Sequence, residues 1–231
     1  MRTLLIAEIG HNWVPNFQTA LELIEYVKET GWDVAKFQAY DTDKIKQPGD
    51  TNYEELKRAE LSLEQLAELR DKCVDVGVEF MASAFDLERI AWMETLGVKR
   101  HKLASRSIHD DAVVGAMVAI GKPIIASLGN WTAPWFPDFE ADFLYCKSRR
   151  QILQNGFDHN AFYDAMSTHA GFSDHTIGNY YAKEAISRKV KIIEKHVTDN
   201  KNAPGWDQPS SADLWDMEEI ANWREKNQCS T

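Results

Sequence analysis

The chain has few cysteines and no excess of positive charge. Cys73, Cys146 and Cys229 are odd in number and far apart, so they match neither a disulfide framework nor a zinc-binding pattern. A formal net charge of −10 argues against a broad basic face, and therefore against nucleic acid or an anionic membrane as partner. A local basic cleft for a small anion remains compatible with this charge.

Long apolar segments are also missing. No run approaches the roughly 20 residues that a membrane helix requires. The apolar start, MRTLLIAEIGHN, is too short for a signal peptide and is typical of a buried strand. We therefore expect a cytoplasmic protein with no membrane partner.

What the chain does contain is ample core material. Its 231 residues include eight Trp and ten Phe, enough for one large domain or two small ones. Short apolar runs alternate with segments of helical periodicity along the whole length. Strands are predicted at 4–9, 34–38, 79–82, 100–103, 123–127, 142–146, 170–173 and 191–196. Helices are predicted at 16–30, 62–77, 86–97, 110–121, 160–168, 179–189 and 211–226.

This alternation favours parallel strands joined by crossover helices. Eight such units predict a (β/α)₈ TIM barrel in the α/β class, and a doubly wound open sheet is the main alternative. One unit departs from the pattern, because LGNWTAPWFPDFEA between Ser127 and Asp142 has two prolines and little room for a helix. We predict a single barrel domain over residues 1–231 with a shortened or missing helix after strand five.

Polar residues follow nearly every predicted strand. In a barrel these positions gather at one end, where active sites lie. They are Glu8, His11, Asn12, Lys36, Gln38, Ser83, Asp86, Lys102, Ser105, Ser127, Lys147, Ser148, Ser173, Asp174, His175, Glu194, Lys195 and His196.

Lysines and hydroxyls in one cleft suit a small anion with several charges. His175 and His196 follow consecutive strands and, as neutral imidazoles, can hold a divalent metal with open positions. Glu8 can act as acid, base or sugar ligand. A lone strand-end lysine such as Lys147 is more often a solvated charge, and His175 alone is as readily a structural histidine. The residues alone thus predict a barrel enzyme for an anionic substrate, with metal dependence left open.

Several motifs together resemble one known family. AEIGHN, VAKFQAY, ELSLEQLAEL, FMASAFD, HKLAS, GKPIIASLG, GFSDHTIG, IIEKHVTD and PGWDQPSS occur in the order and spacing of the sialic acid synthase (N-acetylneuraminate synthase) family, over residues 3 to about 222. The resemblance implies a (β/α)₈ transferase of sialic acid biosynthesis. Such an enzyme condenses phosphoenolpyruvate with an N-acetylated aldose and releases phosphate, with manganese or another divalent metal ion as cofactor.

The resemblance also implies roles for individual residues. His175 and His196 correspond to the metal ligands, and Glu8 and Asp207 to acidic contacts with the acceptor sugar. Gln38 is assigned to the substrate pocket. Phosphoenolpyruvate would be held by Lys36, Ser83, Lys102, Ser105, Ser127, Ser148 and Ser173. Glu8, Lys36, Lys102 and the two histidines form the predicted catalytic set.

The departures from the family lie on the acceptor side. Arg106-Ser107 replaces a usual Gly-Glu, and Arg149-Arg150-Gln151 replaces Glu-Tyr-Pro. We therefore hypothesise a phosphorylated or otherwise acidic acceptor, bound with the help of Arg106 and Arg150. Alternatively, Arg149 or Arg150 replaces an arginine that the family's C-terminal antifreeze-like domain supplies, or it points to solvent.

We expect no antifreeze-like domain in this sequence, which ends at Thr231. A homodimer and a separately encoded accessory domain both stay open. Two other functions also stay open. One is a non-catalytic or regulatory barrel that binds phosphoenolpyruvate or sugar, and the other is a metal-dependent aldolase or isomerase.

Overall fold

A closed barrel of eight parallel strands forms the centre of the molecule. The computed structural model describes residues 2–228, apart from the side chains of Arg150, Gln154 and Gln228, so Cys229 lies outside the described residues. The strands follow one another around the barrel in chain order, β1 to β8, and β8 closes on β1. The (β/α)₈ prediction is confirmed.

The strands are β1 Leu4–Glu8, β2 Val34–Ala39, β3 Glu79–Ala84, β4 His101–Leu103, β5 Ile124–Ser127, β6 Asp142–Cys146, β7 Gly171–Asp174 and β8 Ile192–His196. The helices are α1 Phe17–Glu29, α2 Thr42–Ile45, α3 Tyr53–Ala59, α4 Leu63–Val76, α5 Leu87–Thr95, α6 Asp111–Ile120, α7 Arg149–Asn155, α8 His159–Thr168, α9 Tyr180–Ser187 and α10 Leu214–Gln228.

Most predicted elements are present, with ends that differ by a few residues. The predicted Ser62–Gln65 capping box opens α4, and Asp86 and Asp110 cap α5 and α6 through their side chains. Three short helices, α2, α3 and α7, were not predicted. Each has seven residues or fewer, too short for an apolar stripe to repeat.

The connection after β5 has no helix among the described residues, as its two prolines predict. Aromatic side chains pack against the barrel there instead. The ring of Phe143 stacks on Phe136 at a centroid distance of 5.1 Å and meets the edge of Phe139 at 5.5 Å.

Two layers of side chains fill the barrel interior. The lower layer is apolar and consists of Ile6, Val34, Met81, Ile125, Leu144 and Ile192. Alternate residues of a strand point to the same face, so the residue two positions further along also points inward. Those upper residues are Glu8, Lys36, Ser83, Ser127, Cys146 and Glu194. A polar layer therefore lies directly above an apolar plug.

The strand register aligns this polar layer. Glu8 lies opposite Lys36 on β2 and opposite His196 on β8. Ser83 lies opposite both Gln38 and Lys102. Side chains from distant parts of the sequence thereby reach the same level at the carboxyl ends of the strands.

None of the helices within residues 2–228 is long and apolar enough to cross a membrane.

Candidate active site

The carboxyl ends of the strands surround a cavity of about 350 Å³. Most residues predicted for the site line it. They are Glu8, Lys36, Gln38, Ser83, Lys102, Ser105, Arg106, Ser127, Ser148, Ser173, His175 and His196. Leu56, Phe85, Asn130 and Cys146 also line it, and no sequence pattern had predicted them for the site.

One predicted residue with a described side chain, Asp207, lies elsewhere. Asp207 lines an adjoining cavity of about 320 Å³, which shares His11 with the first one. The side chain of Arg150 is outside the described part of the chain, so its predicted contact with the acceptor stays a prediction.

Lys36 is a buried cation on the floor of the cavity. Its Nζ atom forms an ion pair with Glu8, lies 3.7 Å from Oε2 of Glu194, and donates a hydrogen bond of 3.2 Å to the Ser83 hydroxyl. Burial opposes its charge, but the carboxylates of Glu194 and Glu8 outweigh burial and raise the pKa of Lys36. Lys36 therefore remains charged near neutral pH.

Lys102 is the second buried cation of the floor. Its Nζ atom donates to the Ser127 hydroxyl at 2.9 Å and lies 3.6 Å from Oε2 of Glu194. Burial lowers the pKa of Lys102, and the attraction of Glu194 offsets this only in part while the charge of Lys36 adds to it. An anion that binds in the cavity would thus stabilise the charged form of Lys102 more than that of Lys36.

Glu194 is the carboxylate that both lysines share. Its other oxygen accepts a hydrogen bond of 3.0 Å from the Ser173 hydroxyl. Burial favours its neutral form, but Lys102, Lys36 and Ser173 lower the pKa of Glu194 to about 2. The sequence placed Glu194 at a strand end but gave it no role. Glu194 lies two residues after Ile192, which faces the barrel interior, and this spacing could have predicted that Glu194 also points inward.

A group of potential metal ligands borders the floor. His175, His196 and Asp207 each offer a ligand atom, and these atoms all lie within 4.8 Å of one another. The imidazole centroids are 5.3 Å apart, and the buried Nδ1 atoms of both rings have no hydrogen-bond partner. Burial, then the charge of His196, lowers the pKa of His175 to about 4, so this imidazole is neutral near pH 7. Imidazole binds a metal in its neutral form, and two imidazoles with a carboxylate suit a divalent transition metal.

Asp207 reaches this group because the chain after β8 folds back over the mouth. Asn12 donates one hydrogen bond of 2.8 Å to the Val197 carbonyl and another of 2.9 Å to the Ser211 hydroxyl. Ser211 in turn donates 2.8 Å to the carbonyl of Asp207. The sequence had assigned Asp207 to the acceptor sugar, and the geometry adds it to the potential metal ligands.

Gly10 allows the chain to pass close to these groups. A Cβ atom at this position would lie 3.2 Å from Oε1 of Glu8 and 3.3 Å from Cε1 of His196. The backbone φ angle of 52° is also one that side chains disfavour. Gln38 fixes Glu8 by donating a hydrogen bond of 2.7 Å to the same Oε1.

Two predicted hydroxyls help to build the cavity wall. Ser105 Oγ accepts a hydrogen bond of 2.8 Å from the backbone of Asn130. Ser148 and Gln151 form a capping box at the start of α7, and Gln151 also donates 3.0 Å to the Gly129 carbonyl. The glutamine that replaces the family's proline therefore holds the β6 end of the site to the loop after β5.

Not every polar residue at a strand end belongs to the cavity. Lys195 is buried, and its Nζ atom is satisfied by Asp174 at 2.9 Å and by the Thr176 carbonyl at 2.9 Å. This pair therefore has a structural role. His101 is also buried, and its Nε2 atom lies 2.9 Å from Oε1 of Glu94, away from the cavity lining.

The two arginines with described side chains lie in different places at the mouth. Arg106 is exposed, and its guanidinium lies over the ring of Phe85 at 5.1 Å from the centroid. Arg149 is partly buried and lies over Trp206 at 5.8 Å.

A closed barrel with a charged cavity at the carboxyl ends of its strands is the architecture of (β/α)₈ enzymes. The model of the NeuB family matches residues 23–134 and 160–228, more than half of the chain, so the chain belongs to this family.

Known relatives are synthases. N,N'-diacetyllegionaminic acid synthase of Legionella pneumophila is 29% identical over 251 residues, which cover 95% of this chain and 70% of that protein. Human N-acetylneuraminate-9-phosphate synthase is 25% identical over 244 residues, covering 94% and 67%. The crystal structure of an N-acetylneuraminic acid (sialic acid) synthetase from Leptospira borgpetersenii in complex with citrate has the same fold, with a TM-score of 0.85, 22% identity, and coverage of 98% of this chain and 84% of that chain. The chain is therefore an enzyme of the sialic acid synthase family.

Proposed function

We propose that this enzyme condenses phosphoenolpyruvate with an N-acetylated aldose, releases phosphate, and yields a nonulosonic acid of the sialic acid type. One observation carries the proposal. A floor with two buried lysines and several hydroxyls adjoins a His-His-Asp group, whose two histidines line the same cavity as the lysines. The floor suits a small, highly charged anion, and the adjoining group suits a metal that can hold a carbonyl oxygen.

The floor is electrically balanced before any substrate enters. Lys36 and Lys102 face Glu8 and Glu194, so their formal charges cancel. The phosphate and carboxylate of phosphoenolpyruvate can bind by sharing these lysines with the two glutamates. Hydroxyls of Ser83, Ser127 and Ser173 surround the lysines and can complete the hydrogen bonds of the bound anion.

His175, His196 and Asp207 would hold the divalent metal ion, for which manganese is our expectation. When bound, such an ion supplies Lewis acidity that polarises the aldehyde oxygen of the acceptor. The chain's own contribution is to present two imidazoles and a carboxylate next to the anion floor, so that the two substrates meet at the boundary between the two groups.

The proposed reaction forms one carbon–carbon bond and one carbon–oxygen bond, and it breaks the bond between C2 and the oxygen that carries the phosphate. C3 of phosphoenolpyruvate attacks the aldehyde carbon, the aldehyde oxygen takes up a proton and becomes a hydroxyl, and positive charge develops at C2. Water adds to C2, and its proton passes to a base, for which the buried Glu8 carboxylate next to Gln38 and His196 is positioned. The tetrahedral centre then expels phosphate with the electrons of the carbon–oxygen bond. Lys36 and Lys102 stabilise the negative charge throughout.

A phosphorylated or otherwise acidic acceptor belongs to the same proposal. The sequence predicts that Arg106, at the rim, and Arg150 help to bind the anionic group of this acceptor. The expectations of a single barrel domain without an antifreeze-like domain and of a cytoplasmic location both stay predictions.

The test is a phosphate-release assay with phosphoenolpyruvate, Mn²⁺ and a panel of neutral and phosphorylated N-acetyl sugars, with product masses recorded. Sugar-dependent release that disappears in His175→Ala and His196→Ala supports the proposal. Binding of phosphoenolpyruvate without release would favour a regulatory barrel. Turnover of sugars that needs metal but no phosphoenolpyruvate would favour an aldolase or isomerase.

A further inference from the structure

The Arg149 guanidinium is a cation without a counter-ion. It forms no ion pair within residues 2–228, and its Nε and Nη1 atoms are buried without a hydrogen-bond partner. Burying an unsatisfied donor is unfavourable, more so when it carries charge. Such a group is retained at a cost to stability unless a ligand satisfies it.

The position of Arg149 is fixed by its surroundings. It is the first residue of α7, directly after Ser148, whose capping box with Gln151 sets the start of the helix. Gln151 also ties this turn to the Gly129 carbonyl at 3.0 Å. On its other side the guanidinium rests on Trp206, at 5.8 Å from the ring centroid. A cation placed between two fixed elements can recognise a ligand with little further ordering.

Arg149 lies next to the metal-ligand group. Trp206 immediately precedes Asp207 in the chain, and Asp207 is one of the three potential ligands. The Arg149 guanidinium lies over the Trp206 ring, and this contact places it beside Asp207. The floor that is proposed to bind phosphoenolpyruvate has two other cations, Lys36 on β2 and Lys102 on β4.

From this placement we propose that the acceptor carries an anionic group, a phosphate or a carboxylate, and that Arg149 binds this group against Trp206. The inference rests on the proposed synthase function, including its acidic acceptor, and adds the residue that binds the acceptor's anionic group. Guanidinium is suited to both anions, because its planar donors match the oxygens of phosphate and carboxylate. The indole face orients the guanidinium and leaves its edges free for hydrogen bonds.

Arg106 is the natural comparison. It carries the same charge and lines the cavity that holds Lys36 and Lys102, but it is exposed, lies over Phe85, and follows Ser105 on the β4 side. Water already solvates an exposed guanidinium, so little free energy is gained when an anion replaces that water. The proposal therefore assigns discrimination between acceptors to Arg149 rather than to Arg106.

The experiment compares three acceptors that differ in one substituent. The probes are N-acetylmannosamine, its 6-phosphate, and the corresponding uronic acid, with Mn²⁺ present. Calorimetry without phosphoenolpyruvate gives the Kd of each probe, and phosphate release gives kcat/KM. Both are measured for the wild type, Arg149→Gln, Arg149→Lys and Arg106→Gln.

We expect the wild type to prefer at least one anionic probe over the neutral sugar. The ratio of their Kd values should fall by roughly 10- to 100-fold in Arg149→Gln, the range for a lost hydrogen-bonded charge contact. Arg149→Lys should restore part of the ratio. Arg106→Gln should change the Kd values of all three probes by a similar factor, so their ratio should stay the same. Which anionic probe binds better distinguishes phosphate from carboxylate.

Three results would overturn the inference. They are a wild type that binds the neutral sugar as well as both anionic probes, an unchanged ratio in Arg149→Gln, and an equal loss of the ratio in Arg106→Gln. A preference for neutral acceptors together with phosphate release would leave the synthase function intact. Absence of release with every probe would count against that function, while the Kd ratios would still decide the role of Arg149.

Discussion

Oε2 of Glu194 lies 3.6 Å from Nζ of Lys102 and 3.7 Å from Nζ of Lys36, so one carboxylate on β8 is shared by two cations from β2 and β4. All three side chains are buried at the bottom of the cavity. An anion that enters the site therefore competes with a carboxylate of the protein for the two lysines.

Replacing Glu194 by Gln should destabilise the protein in the absence of substrate. The two ammonium groups would lose their shared counter-ion, and breaking a buried ion pair costs about 3–5 kcal/mol. Urea denaturation measures the free energy of unfolding, and inorganic phosphate should restore more stability to the variant than to the wild type. Glu219→Gln removes a largely exposed partner of Lys183 and should cost at most about 1 kcal/mol. Equal losses of unfolding free energy in both variants would show that Glu194 does not stabilise the two buried lysines.

His175→Ala and His196→Ala should each weaken Mn²⁺ binding by at least about 100-fold, beyond the 10- to 100-fold effect of residues outside the coordination sphere. Asp207→Asn should weaken it as well if its carboxylate is a ligand. Electron paramagnetic resonance of free Mn²⁺ measures the affinity without any need for turnover. His109→Ala is the matched control, because His109 is exposed and stacks on Trp131. Unaltered affinity in all three site variants would refute a metal site at this position.

Gly10→Ala should impair catalysis more than it impairs stability. The added Cβ would press on Glu8 and His196, and a displacement of catalytic groups costs on the order of 10- to 100-fold in kcat/KM. Gly31→Ala provides the comparison, since its φ of 73° imposes similar backbone strain but its Cβ would meet nothing within 4 Å. Both variants should lose about 1 kcal/mol of stability, whereas only Gly10→Ala should lose activity. If the two were equally active, contact with the site would not be the reason for this glycine.

Alkylation of Cys146 should depend strongly on pH and on substrate. Burial raises the pKa of this thiol to about 11, so the reactive thiolate is scarce near neutrality and increases about tenfold per pH unit until pH approaches that value. Phosphoenolpyruvate should slow the reaction, because Cys146 lines the cavity.

Mass spectrometry of the peptide that contains Cys146 separates it from the other cysteines. Burial raises the pKa of Cys73 to about 12, but Cys73 lies in the core under α4 and should show no protection by phosphoenolpyruvate. Rapid alkylation of Cys146 at neutral pH, or a lack of protection, would contradict its placement in the substrate cavity.

The barrel and the level of the site were predictable from the sequence, because both follow from local patterns. Alternating strands and helices define the topology, and polar residues at the carboxyl ends of the strands must gather at one rim. Ser62 and Gln65 signalled the start of α4, and the prolines after Ser127 signalled the absence of a helix. The same capping signal was present at Ser148 and Gln151 and could have revealed α7.

The pairing of charges was not predictable in this way. Glu194 meets Lys36 and Lys102 only because the barrel closes and its register aligns β2, β4 and β8. Asp207 joins His175 and His196 through a loop that Asn12 and Ser211 fix from opposite ends of the chain. Such contacts depend on tertiary packing, and no periodicity of the sequence encodes them.

The central claim is best tested with phosphoenolpyruvate that carries ¹⁸O in the oxygen between C2 and phosphorus. The account predicts that, with an N-acetylated acceptor and Mn²⁺, the released phosphate contains the label, because water adds to C2 and the carbon–oxygen bond breaks. Label retained in the sugar acid would mean cleavage of the phosphorus–oxygen bond and would contradict the mechanism. Phosphate release that does not require an acceptor would contradict the synthase function itself.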